Sequence, residues 1–317
     1  MQWPEELMFM KNSRAVQKRS TLRLDGKIVV ITGTTSGVGK AAAIRFAQGG
    51  AHLVMICRNA AKARTLQDDL IRNYQVPVNV LIADFTDLES IRAVARAIAA
   101  QYQRIDVLIH NVGIHRTHKV ILAEGYDEVF LVNHLAPFLL NCLLLPTMVR
   151  SPKSRILYVN SEGHRFSTVH PDDLQWKCHR YTGLKGYGAA KTAQLLTIWE
   201  FDEMLKPYEV RITAMHPGAV KSSVGHDNGG FYAWYAQHVL SHFLGDPSCS
   251  GEALYYLATT KEQTVSSARF YNQTVEEKPA AHALDRTLGK VVFAQSLQLV
   301  GLGVLELDGR KQHEDTV

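Results

Sequence analysis

The stretch Lys27-Ile-Val-Val-Ile-Thr32, followed by Gly33-Thr-Thr-Ser-Gly37-Val-Gly39 and then Lys40-Ala-Ala-Ala-Ile-Arg-Phe-Ala-Gln48, decides the fold. Its first part is a short β-branched run with no polar alternation, the pattern of a strand buried on both faces. Its last part is helix-compatible and is stopped by Gly49-Gly50. Between the two, spaced glycines let the backbone approach a pyrophosphate, and the helix N-terminus offers N–H groups and the positive end of its dipole. Strand, glycine-rich turn and helix in that order predict a dinucleotide-binding unit rather than a mere turn.

Working outward, His52 to Cys57 reads as the next strand, and it ends at Arg58-Asn59 with no Asp or Glu among residues 57–59. A carboxylate there would bind a ribose 2′-OH and select NAD, whereas an arginine can pair with a 2′-phosphate. The expectation is therefore NADP(H) over NAD(H), against the alternative that Arg58 is a solvated loop residue. The pattern then repeats. Asn59 caps a helix to about Tyr74, Val78 to Ala83 is a strand ending at Asp84-Phe85, and Asp87 caps a helix with Ile91, Val94, Ala95 and Ile98 on one face. Asp106 to His110 is a fourth strand leading into Asn111-Val112-Gly113, and a helix runs through Phe130, Asn133, Leu135, Phe138 and Leu145. Strand Arg155 to Asn160 delivers Ser161 at its C-terminal end, where open parallel sheets place their ligand sites. Arg211 to Met215 and Ala268 to Asn272 complete the strands, and Gly251 to Thr260 reads as helix. Alternation along the whole body predicts an α/β fold, a Rossmann-type doubly wound parallel sheet of about seven strands in one domain spanning residues 25–275. Residues 1–24 form a basic arm and 276–317 a tail.

Tyr187 and Lys191 lie one helical turn apart, so both side chains leave the same face, roughly 6 Å from each other. A phenol beside an ammonium is displaced toward phenolate and can exchange a proton with an alcohol or carbonyl. Ser161 could hold the substrate oxygen. Tyr181 and Lys185 have the same spacing, but Gly183 and Gly186 make that stretch read as loop. Residues 222–245 crowd Phe231, Tyr232, Trp234, Tyr235 and Phe243 behind a glycine-loosened start. They read either as a lid over an apolar substrate or as a helix packed on the body.

The chain of 317 residues is 46% apolar, enough for a full core, with a net charge of +5 that lies mostly in the first 27 residues. The near-neutral body has no basic stripe for nucleic acid. Cys57, Cys142, Cys178 and Cys249 are widely spaced, which predicts neither disulfides nor a metal site and fits a reducing compartment. No membrane-length apolar run or secretory leader is expected. A cytoplasmic protein is predicted, with peripheral membrane contact through the lid, tail or basic arm, and a homodimer, both left open.

Together these pieces resemble the short-chain dehydrogenase/reductase family over roughly residues 25–275, through the glycine motif, Asp84, Asn111-Val112-Gly113, Asn133, Ser161, Tyr187/Lys191 and Pro217-Gly218-Ala219-Val220 in order. The resemblance implies a catalytic tetrad. Tyr187 is its general acid/base, Lys191 lowers the Tyr187 pKa and holds the nicotinamide ribose, Ser161 orients the substrate oxygen, and Asn133 anchors a water relaying protons from Lys191. It implies that Gly33, Ser36, Gly37, Val38 and Gly39 wrap the pyrophosphate, Arg58 and Asn59 meet the adenosine phosphate, and Asp84 and Phe85 meet the adenine. Asn111 and Gly113 line the site, and Pro217, Gly218 and Val220 meet the nicotinamide. Arg58-Asn59, Ser161-Glu-Gly-His164 and Asp172-Asp173-Leu174 are similar to the retinol dehydrogenase-like branch, which implies retinoid, sterol or lipid carbonyl substrates. His110 and Val112 depart from the family's Asn-Asn-Ala-Gly, and the N-terminal anchor common in microsomal retinol dehydrogenases is not recognised. The alternatives are a hydroxysteroid or fatty-carbonyl reductase and, from another class, a non-catalytic NADP(H)-sensing module.

Overall fold

The computed structural model describes residues 15–220, 245–261 and 267–303, with the single residues 12, 305 and 307. The aromatic stretch expected as a lid lies outside the described residues except for Gly245, as do most of the arm's first half and the end of the tail.

Strand β1 (Ile28–Thr32) leads through the glycine turn into helix α1 (Gly37–Gln48), followed by β2 (His52–Cys57), α2 (Ala60–Tyr74), β3 (Val78–Ile82) and α3 (Leu88–Gln101). Then come β4 (Val107–His110), a long helix α4 (Glu128–Met148) and β5 (Arg155–Val159). The remainder is α5 (Gly183–Leu205), β6 (Arg211–His216), α6 (Ser248–Thr259), β7 (Arg269–Asn272), β8 (Val275–Glu276) and α7 (Arg286–Leu299).

The sheet order is β3-β2-β1-β4-β5-β6-β7-β8, parallel throughout except for β8, which turns back antiparallel on β7. The sheet therefore has eight strands where about seven are expected. The additional one is a two-residue hairpin return, with Arg269 and Glu276 paired at 3.1 Å across it. Side chains alternate across the pleat. Val30, Val54 and Ile56 join one core with α3, α4, α5 and α7, while Val29, Ile31, Leu53 and Met55 join a second core with α1, α2 and α6. Strand order reverses between β1 and β4, so the C-terminal ends of these two strands open a crevice, the position at which doubly wound sheets bind ligands.

Two helices differ from the sequence reading. Helix α4 is long and apolar enough to cross a membrane, with mean hydropathy 1.8, yet 89% of that window is buried within the fold. It is a core helix, and at Leu131–Leu135 it carries one wide π-type turn. Helix α5 begins at Gly183, so Lys185 is helical rather than in a loop, and Tyr181 lies just before the Thr182 cap. The glycines there serve packing. A Cβ on Gly183 would sit 2.3 Å from the Arg116 carbonyl oxygen, and one on Gly186 would sit 2.3 Å from the Tyr181 ring. Helix α7, within the apolar tail segment, docks on α5, where Phe293 meets Phe201 at 4.9 Å and Phe138 at 5.2 Å between ring centres.

Candidate active site

At the C-terminal ends of β1, β4, β5 and β6 lies a cavity of about 650 Å³, within the ordinary range for a small-molecule or cofactor site. Its floor is the glycine turn. Gly33 has φ +71°, a left-handed conformation that only glycine adopts without strain. A Cβ on Gly39 would lie 2.1 Å from the Gly33 carbonyl oxygen, so the first turn of α1 can fold against the end of β1 only without a side chain there. Asn111 fastens this turn from β4. Its Nδ2 donates to the carbonyl oxygens of Thr32 and Gly33, both at 3.0 Å, and its N–H donates to the Thr32 hydroxyl at 2.9 Å. No carboxylate stands in the first turn of α1, and Gly33, Ser36, Gly37 and Val38 line the cavity. A helix N-terminus so placed fits a pyrophosphate.

Further along the same cavity wall are Arg58, Asn59, Asp84 and Phe85, as expected from sequence, and also Lys62, which the sequence reading passed over. Asn59 caps α2 by accepting from the Lys62 N–H at 2.9 Å. That cap fixes Lys62 one turn beyond Arg58 and gives the wall two cations. Asp84 is occupied by its own turn, its Oδ1 accepting from the Thr86 N–H at 2.9 Å and the Thr86 hydroxyl at 2.8 Å.

The opposite end gathers Asn111, Gly113, Ser161, Tyr187, Lys191, Pro217, Gly218 and Val220. Strand β5 ends at Asn160-Ser161, and Ser161 caps the single 3-10 turn Glu162–Phe166 by accepting from the Gly163 N–H at 3.0 Å. The Ser161 hydroxyl also acts on Tyr187, favouring its ionised form. His164 props this turn from behind. Its Nδ1 lies 2.7 Å from the Ser161 carbonyl oxygen, and its Nε2 accepts from the Ala280 N–H at 3.1 Å. These partners fix a neutral ring with the proton on Nδ1, consistent with burial pushing its pKa down to about 3.

Lys191 is buried, 2% exposed, with its Nζ donating to the Val159 carbonyl at 2.9 Å and to Gln194 Oε1 at 3.3 Å. Burial pushes this ammonium down to about 7 and pushes the Tyr187 phenol up, the Ser161 hydroxyl pulling the phenol the other way. Tyr187 and Lys191 therefore do not by themselves produce the lowered phenol expected from their spacing. In a dry interior both charged forms are disfavoured.

Two expected residues lie outside the cavity wall. Gly39 sits beneath the turn. Asn133 is fully buried at the π-type turn, its Oδ1 accepting from the Ile114 N–H and its Nδ2 donating to the Ile114 carbonyl, both at 2.8 Å. The Asn133 main-chain carbonyl accepts from Gln194 Nε2, and Gln194 Oε1 also accepts from Asn160 Nδ2 at 2.9 Å. Gln194 thus ties Asn133, Asn160 and Lys191 into one buried network, and the sequence reading missed it. The available signal was position, one turn after Lys191 on the same helix face. Also unanticipated are His115, whose ring meets Tyr187 edge-on at 5.5 Å, and the Arg116–Glu128 pair at 2.7 Å on the cavity wall.

Comparison with known proteins bears on the family and the fold. A family model for short chain dehydrogenases matches residues 27–173. Human retinol dehydrogenase 11 is 32% identical over 289 residues, covering 90% of this chain and 89% of its own. Human retinol dehydrogenase 13 is 29% identical over 291 residues, covering 89% and 87%. The crystal structure of an uncharacterized protein from Mycobacterium paratuberculosis superposes with a TM-score of 0.73 at 25% identity, covering 92% of this chain and all of that one.

Proposed function

Since the chain belongs to the short-chain dehydrogenase/reductase family, in its retinol dehydrogenase-like branch, and is thereby an oxidoreductase, we propose that it interconverts an apolar carbonyl compound and its alcohol with NADP(H), Tyr187 exchanging the proton. The observation that carries this reading is the convergence of Ser161, Tyr187 and Lys191 on one end of a cavity whose other end is a carboxylate-free helix N-terminus.

When bound, the nicotinamide cofactor supplies or accepts the hydride. The glycine turn and the first N–H groups of α1 would hold its pyrophosphate, Arg58 and Lys62 its 2′-phosphate, and Lys191 with Tyr187 its nicotinamide ribose. The two cations and the missing carboxylate after β2 favour the phosphorylated cofactor, because a guanidinium pairs with phosphate through parallel N–H donors. Asp84 and Phe85 would border the adenine, and Pro217, Gly218 and Val220 the nicotinamide.

The chain's own residues then do three things. Ser161 Oγ accepts from the Gly163 N–H and from there faces Tyr187, so its hydroxyl is placed to orient a substrate oxygen between the two. Tyr187 Oη gives a proton to that oxygen in reduction and takes it back in oxidation. Lys191, when protonated, favours the phenolate across the buried space between them. Gln194 holds the Lys191 Nζ in position, and the Asn133 carbonyl, with a second lone pair beyond the one Gln194 uses, keeps capacity for a water on the proton path. With NADPH as the cofactor, reduction is the working direction.

The substrate class follows from the retinol dehydrogenase-like branch, and retinal, steroid ketones and long-chain aldehydes are the compounds to test. NADPH oxidation by the purified chain against those three, with Tyr187→Phe in parallel, tests the proposal. Turnover of one class, lost in the variant, supports it. NADPH binding without turnover of any of them favours the sensing module instead.

A further inference from the structure

We propose that His170, Asp172 and His179, in the segment between β5 and α5, form a binding site for a divalent transition-metal ion of the zinc class. One ligand atom from each of the three lies within 4.8 Å of the others. Ligand atoms about 2.1 Å from a shared ion stand roughly 3.4 Å apart in a tetrahedron, so the three groups must draw together by about an ångström to close on an ion. The two imidazoles are stacked face to face, 4.0 Å between centres with 9° between planes, so one ring must turn about its side-chain bonds before both in-plane lone pairs meet at one ion. Two imidazoles and a carboxylate suit zinc and its neighbours rather than magnesium or calcium, which take oxygen ligands.

A second observation concerns His179. Its Nδ1 lies 3.0 Å from Asp173 Oδ2, which leaves Nε2 as the nitrogen for a metal. This is the carboxylate–histidine arrangement that orients metal-bound imidazoles elsewhere. Asp173 is itself held in place. Its side chain is only 4% exposed, and its oxygens accept from the N–H groups of Lys177, Cys178 and His179 at 2.6 to 2.9 Å.

The ion would clip a segment that supports the catalytic helix. His170 meets Trp176 edge-on at 5.6 Å, Trp176 meets Tyr181 at 5.5 Å, and the Tyr181 ring underlies Gly186, the neighbour of Tyr187. On its other side the segment is tied to α7, where Gln295 Nε2 donates to the Pro171 carbonyl at 2.8 Å. The role is structural and involves no hydrolytic step.

The test is calorimetric titration of zinc chloride into the untagged, chelator-treated full chain, with thermal unfolding in parallel. The expected result is one equivalent bound, with a rise in unfolding temperature. Both should be lost in His170→Ala and His179→Ala and weakened at least about tenfold in Asp172→Asn, an exposed position where the fold is not at risk. His118→Ala, at an exposed histidine outside the cluster, should bind as the parent does. Absence of binding by the parent chain overturns the proposal. So does binding that survives both histidine substitutions, or that is lost instead in Cys178→Ser.

Discussion

The Lys191 ammonium nitrogen stands 5.8 Å from the centre of the Tyr187 ring, one turn along α5, with Lys191 buried and Tyr187 half-buried on the cavity wall. The lysine is enclosed while the tyrosine borders the cavity, and in the proposed mechanism the Tyr187 hydroxyl is the one that meets a substrate. Tyr187→Phe removes that hydroxyl and keeps the ring. Turnover should fall by at least about a hundredfold, the lower end of what general acid–base catalysis contributes, while NADPH affinity measured by fluorescence changes little. Tyr181→Phe is the control, since the Tyr181 hydroxyl is buried with no hydrogen-bond partner among the described residues. Equal turnover in the parent and Tyr187→Phe would remove the tyrosine from the mechanism.

Burial lowers the Lys191 pKa from its ordinary value of 10.5 to about 7. Between those values the unfolded chain holds a proton that the folded chain has released, so stability rises with pH across that window. Below about pH 7 the lysine is charged in both states and the cost of burying it is complete. The unfolding temperature of the parent, minus that of Lys191→Met, should therefore increase from pH 7 to pH 10. A flat difference across that range would mean that the Val159 and Gln194 acceptors keep Lys191 charged in the folded chain.

Arg58 and Lys62 make the cofactor preference measurable. Charge-assisted hydrogen bonds contribute about 1.5–3 kcal/mol, so Arg58→Asp should weaken NADPH binding by roughly tenfold or more relative to NADH. Lys62→Ala should have the same direction and a smaller effect, since an ammonium is a point charge without the guanidinium fork. Equal changes for both cofactors would place the two cations away from any 2′-phosphate.

Much of this architecture was legible because its causes are local. A β-branched run, a glycine turn and an apolar helix face each constrain their own few residues, so the order of β1, the turn and α1 could be read directly. The exceptions have non-local causes. Gly183 and Gly186 look like loop residues, but their missing side chains make room for the Arg116 backbone and the Tyr181 ring, both outside the helix. Val275 and Glu276 carry no periodicity and form a strand only because β7 is beside them. Helix α4 reads as a helix through Phe130, Asn133, Leu135, Phe138 and Leu145, and only the enclosing fold explains why it is apolar on nearly every side. In the site, residue types with known chemistry were found, whereas Gln194, an amide inside an apolar helix run, becomes meaningful only when Asn133, Asn160 and Lys191 surround it.

Gln194 also supplies the sharpest test of how Lys191 is controlled. Gln194→Leu leaves the helix face apolar but takes one acceptor from Lys191 Nζ, one from Asn160 Nδ2 and the donor from the Asn133 carbonyl. Leaving such groups under-satisfied in the interior costs about 1–3 kcal/mol, read as a lower unfolding temperature. With fewer acceptors the charged lysine is less favoured, so its pKa drops further and activity should fall away at lower pH than in the parent. Gln194→Glu does the opposite, because a carboxylate at the same place favours the ammonium and keeps it protonated to higher pH. The basic limb of the kcat/KM profile should therefore move down in the first variant and up in the second. Movement in the same direction in both would mark a change in packing, and no movement in either would separate Gln194 from the lysine's function.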